Sequence, residues 1–194
     1  MRLIVHKGQT EDVYRYSPLN AFMLDNPVRR FFQNPKKILF PYLREGMTAI
    51  DIGCGPGMFS LAMAELVGPK GKVIAVDLQQ EMLDTLKKKS DNKGLTQRIT
   101  FHRNTSDSLG IIEKADFILS FYMVHEVPDQ PKLFREVKDI LAPGGKYFMV
   151  EPLFHVHEQA FLEEIERARR SGLALVDSPK MRMSRAAVFE GAGK

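Results

Sequence analysis

The 194-residue sequence contains no tryptophan and one cysteine, Cys54. A single thiol cannot form an internal disulfide, which excludes a disulfide-stapled secreted scaffold and fits a reducing compartment. No apolar run approaches the ~20 residues that cross a bilayer, and the first residues lack the apolar stretch of a secretory signal. We therefore expect a cytoplasmic protein with no membrane partner.

The sequence also has no large excess of either positive or negative charge. The formal net charge is +4 for the whole chain, which permits an anionic substrate but does not by itself indicate nucleic-acid binding. The length is most simply that of one domain, able to bury about 70% of its extended-chain surface. We expect one domain over residues 1–194, with an N-terminal cap over 1–46 and a core over 47–194. Nothing in the amino-acid sequence indicates an oligomeric state.

The most informative stretch is TAIDIGCGPG, residues 48–57. Its first five residues form a short, mainly apolar run that is rich in β-branched residues, which predicts a strand buried on both faces. Gly53, Gly55 and Gly57 then predict a loop, and the apolar segment after them predicts a helix. A glycine loop lets backbone approach a ligand closely, and the helix N-terminus beyond it offers free N–H donors. This arrangement predicts a ligand site at the end of the first core strand.

Two carboxylates flank this loop in the sequence. Asp77 ends a second apolar strand twenty residues after Gly57, a spacing that suits an acid accepting hydrogen bonds from ribose hydroxyls. Asp51 precedes the loop, where an anion suits a ligand with an amino group or a sulfonium. A nicotinamide-dependent oxidoreductase is the alternative, but Met58 stands where the dinucleotide fingerprint requires a small residue.

The motifs that these residues form resemble those of the class I S-adenosylmethionine-dependent methyltransferases, in particular the small single-domain members. The resemblance runs through DIGCGPG at 51–57, VDL at 76–78, ADFILS at 115–120 and LAPGG at 141–145. It implies a three-layer, Rossmann-like α/β fold with a doubly wound, seven-stranded sheet, mostly parallel with an antiparallel last strand. It also implies methyl transfer from S-adenosylmethionine, with S-adenosylhomocysteine as product, and the short chain favours a small-molecule acceptor.

The resemblance assigns cofactor contacts to matching positions. The glycines would admit the methionine portion, Asp77 would bind the ribose, Leu78 would pack on adenine, and Ser120 and Phe121 would border the transferred methyl group. Many members carry Gly-Asp where this chain has Asn104-Thr105, so the adenine contacts depart from the family pattern. The implied cofactor-binding set is Asp51, Gly53, Cys54, Gly55, Gly57, Asp77, Leu78, Thr105, Ser106, Ser120 and Phe121.

His125 is the candidate catalytic residue. It follows the fourth strand, where substrate and methyl group should meet, and is the only group there with a neutral-range pKa. The competing interpretation is a structural histidine that caps the strand end. No metal is expected, because Glu151, His155 and His157 lack a ligand spacing.

Other functions stay open. A basic segment including Arg29, Arg30, Lys36 and Lys37 would suit a methyltransferase acting on RNA or protein, but no aromatic platform accompanies it, so nucleic acid is not an expected partner. A non-catalytic cofactor-binding protein is the remaining alternative. Candidates from the N-terminal segment for lining the substrate site are Tyr14, Tyr16 and Asn20.

Three local predictions concern the second half of the chain. Asp107 is expected to cap a short helix. Residues 143–145, Pro-Gly-Gly, are expected to form a turn before the fifth strand. A late helix is expected to present a solvated face made of Glu163, Glu164, Arg167 and Arg170.

Overall fold

A computed structural model describes residues 33–191 of the protein. The expectations about Tyr14, Tyr16, Asn20, Arg29 and Arg30 lie outside the described residues. Of the helices between residues 33 and 191, none has the length and apolarity to cross a bilayer.

Strands and helices alternate along most of the described chain, as the sequence pattern predicts. The elements in chain order are α1 (Pro35–Leu39), β1 (Thr48–Ile52), α2 (Met58–Leu66), β2 (Lys72–Asp77), α3 (Gln80–Asp91), the 3₁₀ helix η1 (Thr96–Arg98), β3 (Ile99–Arg103), β4 (Ala115–Phe121), the 3₁₀ helix η2 (Val124–Glu126), α4 (Gln130–Ile140), β5 (Leu141–Pro152), α5 (Glu158–Arg170), β6 (Leu173–Asp177) and β7 (Ser184–Gly191).

The strands form one seven-stranded sheet in the order β3-β2-β1-β4-β5-β7-β6. β1 to β5 pair in parallel, and β7 runs antiparallel to both β5 and β6. The predicted doubly wound α/β fold is therefore confirmed. Strand order reverses between β1 and β4, and in open α/β sheets ligands bind at the carboxyl ends of the strands beside such a switch point.

Alternate residues of the central strands face two separate cores. On one face, Phe117 and Leu119 of β4 pack with apolar side chains of α1, α2 and α3. On the other face, Ile118 of β4 and Tyr147 of β5 pack with α4 and α5. Strands buried on both faces explain why β1 and β4 are continuous apolar runs rather than alternating ones.

Three local predictions are wrong. The segment Pro143–Gly145 lies within β5, because Leu141 already pairs with Ala115 and the intervening residues form an irregularity before pairing resumes at Lys146. Asp107 caps no helix, since residues 104–114 contain none. Glu164 is buried rather than part of a solvated face, because it lies on the side of α5 that packs inward.

Candidate functional site

The loop after β1 has the backbone conformation that its glycines allow. Gly55 has φ +51° and Gly57, the N-cap of α2, has φ +91°, both in the left-handed region that disfavours residues with a Cβ. The N–H of Cys54 donates to the carbonyl of Val76 at 2.9 Å, which ties the loop to β2. The loop is therefore a defined turn at the carboxyl edge of the sheet.

Asp77 connects this loop to the start of α3. One carboxylate oxygen accepts the N–H of Gly55 at 2.8 Å, and the other accepts the N–H of Gln79 at 2.9 Å. Burial raises the pKa of Asp77, and these N–H donors oppose that rise. The carboxylate is thus held at the end of β2, beside the glycine loop.

Asp51 lies deeper than Asp77. Its side chain is buried and accepts the hydroxyl of Ser60 from α2 at 2.5 Å. Burial raises the pKa of Asp51 to about 7, against the Ser60 hydrogen bond, and the negative charge of Asp77 adds to the rise. The two acids predicted to flank the loop therefore lie near each other and make this edge electronegative.

The predicted adenine-side residues lie next to Asp77. Leu78 is 42% exposed at the end of β2. The N–H of Asn104 donates to the carbonyl of Asp77 at 3.2 Å, which places the segment after β3 alongside. Thr105 and Ser106 are exposed there, and the Thr105 hydroxyl accepts the N–H of Ser108 at 3.2 Å.

The two predicted residues of β4 point in opposite directions. The Phe121 ring packs on Phe59 of α2, with ring centroids 4.2 Å apart, on the face that carries the glycine loop. The hydroxyl of Ser120 is fully buried on the other face, 2.7 Å from that of Tyr147. The Ser120 hydroxyl therefore points into the core beside Tyr147, away from the Phe121 ring.

His125 lies in η2, just beyond β4. Met123, the residue before η2, packs against the loop. The Cγ atom of Met123 lies 3.0 Å from the position that a Cβ on Gly53 would occupy. Nδ1 of His125 is hydrogen-bonded to the carboxylate of Glu151, a fully buried residue near the end of β5. The sequence singled out both residues but did not pair them.

Tyr122, which follows β4 directly, has a backbone conformation that the sequence reasoning missed. Its φ of +63° is unusual for an aromatic residue, and such backbone strain persists only where surrounding contacts enforce it. The hydroxyl lies 2.6 Å from that of Ser184 in β7 and accepts a hydrogen bond from Gln33 at 2.5 Å. Nothing in the sequence signals this conformation, because it depends on contacts between distant segments.

Within residues 33–191, no cluster of three or more histidine, cysteine, aspartate or glutamate side chains has the geometry to hold a metal ion. His155 lies in the turn after β5 and His157 is the N-cap of α5. The ring centroids of His125 and His155 are 5.9 Å apart. Carboxylates, backbone N–H groups and imidazole are the polar groups that the described residues place at this edge.

Cys54 is expected to be chemically inert in the folded protein. It is buried in the loop, and burial, with the charges of Asp51 and Asp77, raises the pKa of its thiol well above the usual value. Iodoacetamide at pH 8 should modify the native chain about 100-fold more slowly than the chain in guanidinium, because the thiolate is the reactive form. Mass spectrometry reports this directly. Equal rates in both states would contradict the buried placement.

Comparison with known proteins places this geometry in context. A family model described as "Methyltransferase domain" matches residues 43–184. The demethylmenaquinone methyltransferase of Oceanobacillus iheyensis is 31% identical over 142 residues, which cover 73% of this chain and 59% of that protein. The enzyme of the same name from Lactobacillus johnsonii is 30% identical over 124 residues, or 63% of this chain and 48% of that protein. The chain thus spans roughly half the length of these two curated relatives.

A solved structure shares the fold over nearly its whole length. The SAM-dependent methyltransferase from Aquifex aeolicus superposes with a TM-score of 0.81, covering 90% of this chain and 98% of that one at 22% identity. At this level of identity the similarity concerns the fold.

Proposed function

The chain belongs to the methyltransferase domain family, and we propose that it transfers the methyl group of S-adenosylmethionine to a small-molecule acceptor. The observation that carries the proposal is the pairing of Asp77 with the glycine loop. The carboxylate lies at the end of β2, within hydrogen-bond distance of the Gly55 backbone at the end of β1. An acid at the end of the second strand of such a unit suits ribose hydroxyls.

The residues present fit this ligand. A Cβ built on Gly55 meets no protein atom within 4 Å, so the backbone there borders open space into which a ligand can come close. Asp51 and Asp77 make the edge electronegative, which favours the sulfonium and ammonium charges of S-adenosylmethionine. When bound, the ligand supplies an electrophilic methyl group on a sulfur that leaves as a neutral thioether.

We assign roles to the chain's own residues on this basis. Asp77 accepts the ribose hydroxyls, the exposed Leu78 packs on adenine, and Phe121 borders the methyl group. The buried Asp51 carboxylate attracts the ammonium group of the ligand's methionine portion. Alignment of the acceptor with the methyl group and exclusion of water then account for most of the rate, because such displacements depend chiefly on positioning.

A small acceptor is supported by the relatives, whose name indicates action on demethylmenaquinone. We also propose that residues 1–46 belong with the core to a single domain and help to enclose the acceptor. A larger acceptor, RNA or protein, would have to be recognised without the aromatic platform that such recognition commonly uses.

The proposal is tested by incubating the protein with methyl-labelled S-adenosylmethionine and reduced demethylmenaquinone, 1,4-dihydroxynaphthalene or bulk RNA. We expect label in a small organic product together with stoichiometric S-adenosylhomocysteine. Label in RNA would identify a macromolecular acceptor. Binding of the cofactor with no turnover would indicate a non-catalytic protein, and tight binding of NAD in its place would contradict the proposal.

Gly55→Ala separates ligand contact from protein stability. Gly94→Ala is the matched control. Gly55 has φ +51° and Gly94 has φ +65°, and a Cβ built on either residue has no neighbour within 4 Å. Both substitutions should cost about 1 kcal/mol of unfolding free energy, since each forces alanine into the left-handed region. Only Gly55→Ala should weaken S-adenosylhomocysteine binding, by about tenfold, as measured by calorimetry. Equal affinities of the two variants would show that Gly55 does not face the ligand.

A further inference from the structure

A buried acid stands directly behind His125. Glu151 is fully buried, and its two oxygens have separate partners: Oε1 accepts the N–H of Val124 at 3.0 Å, and Oε2 is hydrogen-bonded to Nδ1 of His125. Because a carboxylate only accepts hydrogen bonds, Nδ1 must carry the proton. In the neutral ring Nε2 then has the free lone pair.

The free nitrogen faces outward. The His125 side chain is 21% exposed, and Nε2 lies 3.9 Å from a carboxylate oxygen of Glu126, whose side chain is 61% exposed. Met123, two residues earlier, packs against Gly53 in the glycine loop. A basic nitrogen of fixed tautomer therefore lies beyond the ends of β4 and β5, two residues along the chain from the contact between Met123 and the loop.

A second buried acid, Glu164 of α5, is connected to the same 3₁₀ turn through Gln130, whose side-chain amide donates both to the Val124 carbonyl and to Glu164. Its Oε1 accepts a hydrogen bond from Gln130 at 3.2 Å, whereas its buried Oε2 has no hydrogen-bond partner among residues 33–191. Gln130 in turn accepts from Arg167 at 3.0 Å. Burial, with the charge of Glu151, raises the pKa of Glu164 to about 7.

The charged groups around His125 all favour its protonated form. The hydrogen bond to Glu151 raises the pKa of His125 against burial, and the charges of Glu151, Glu126 and Glu164 raise it further. His155 is the other titratable ring nearby, and Arg167 reaches the cluster only through Gln130.

We propose that Glu151 is a positioning residue that holds His125 as the general base for an acceptor carrying a hydroxyl group on an aromatic ring. The inference rests on the proposed function and names its substrate class. The hydroxyl proton passes to Nε2 of His125. The electron pair left on the hydroxyl oxygen forms the bond to the methyl carbon, while the pair of the broken carbon–sulfur bond stays on sulfur. The imidazolium, hydrogen-bonded to the Glu151 carboxylate, later releases its proton to water.

The direct test is an NMR titration of the His125 ring in the intact chain, with the signal assigned by His125→Asn. We expect a titration midpoint above the usual value of about 6.5, and a neutral ring with its proton on Nδ1. A neutral ring protonated on Nε2 would overturn the proposal, as would a midpoint at or below the usual value.

Glu151→Gln is the matching variant. Since one oxygen must still accept the Val124 N–H, the amide nitrogen faces Nδ1, donates to it and moves the ring proton to Nε2. The midpoint should then fall to the usual value or lower. Glu164→Gln should lower the midpoint less, because its charge makes the smaller contribution. Glu166→Gln, an exposed acid on α5 paired with Arg169, should leave it unchanged.

Kinetics give the second readout, with 1,4-dihydroxynaphthalene as acceptor. The wild-type rate should rise with pH through the His125 midpoint, because only the neutral ring accepts a proton. In Glu151→Gln, kcat should fall about 100-fold or more, with unchanged affinity for S-adenosylhomocysteine. Equal kcat in both proteins would overturn the inference and leave the proposed function standing.

Two further outcomes separate the inference from the proposed function. Methylation of 1-naphthylamine but not of 1,4-dihydroxynaphthalene would overturn the hydroxyl assignment while confirming methyl transfer. Failure of S-adenosylhomocysteine to bind would overturn the proposed function, and the NMR titration would still decide whether Glu151 orients His125.

Discussion

Asp77→Ala is expected to bind S-adenosylhomocysteine about 100-fold more weakly than the wild type, or weaker still. A hydrogen bond to a charged group contributes about 1.5–3 kcal/mol, and the proposal gives Asp77 two such bonds to the ribose. Their loss corresponds to at least two orders of magnitude in the dissociation constant. Calorimetry on the purified variant measures this directly.

The controls must separate ligand contact from loop structure, because Asp77 also accepts the N–H groups of Gly55 and Gln79. Asp77→Asn keeps an acceptor oxygen for one of them and should retain the fold with intermediate affinity. Asp84→Ala removes an exposed acid from α3 that pairs with Gln80, and should change neither affinity nor melting temperature. A wild-type dissociation constant in a folded Asp77→Ala protein would refute the ribose assignment.

Gly57→Ala is expected to lower the free energy of unfolding by about 2–5 kcal/mol. The backbone φ of +91° strains any residue with a Cβ, and the added methyl would stand 2.1 Å from Cδ1 of Leu86. Backbone strain of this kind costs about 1–3 kcal/mol, and overpacking a core costs a similar amount. Guanidinium unfolding curves give the change, provided that the slope of the transition is unchanged.

A double-mutant cycle tests the clash itself. Leu86→Ala alone should be destabilising by about 2–5 kcal/mol, since Leu86 is fully buried. Combined with Gly57→Ala, the total loss should be smaller than the sum by about 1 kcal/mol or more, because the truncated side chain no longer meets the new methyl group. Additive losses would mean that the Leu86 contact is not the cause.

The fold was largely predictable because its signals are local. The apolar runs that became β1, β2 and β4 are buried on both faces, and each is followed by a segment with helical spacing. The glycine loop and its two acids were placed correctly for the same reason, since they lie at strand ends that the topology brings to one edge.

The missed features depend on contacts between distant segments. Glu164 was assigned to solvent by its charge, although its position relative to Phe161, Ile165 and Ala168 places it on the buried stripe. Its burial is tolerated because Gln130 of α4 donates to it. Here residue type was a poorer guide than helical periodicity.

The pairing of His125 with Glu151 is a consequence of strand order. Phe121 of β4 lies opposite Val150 of β5, so the residues that follow each strand end close together. Each residue could be singled out from the sequence, but the pair could be recognised only once β4 and β5 were known to be neighbours. The direction of the Ser120 side chain could not be predicted either, because the phase of β4 decides which core it faces.

The most direct test of the central claim, that the β1 loop and the end of β2 form the cofactor site, is an amide NMR titration of the wild-type chain with S-adenosylhomocysteine. The largest shifts should occur at the N–H groups of Gly53, Gly55, Gly57 and Leu78. Shifts confined to other parts of the chain would contradict the account. So would the absence of any shift at about millimolar ligand, because at that concentration even a binding free energy of about 4 kcal/mol in magnitude gives detectable binding.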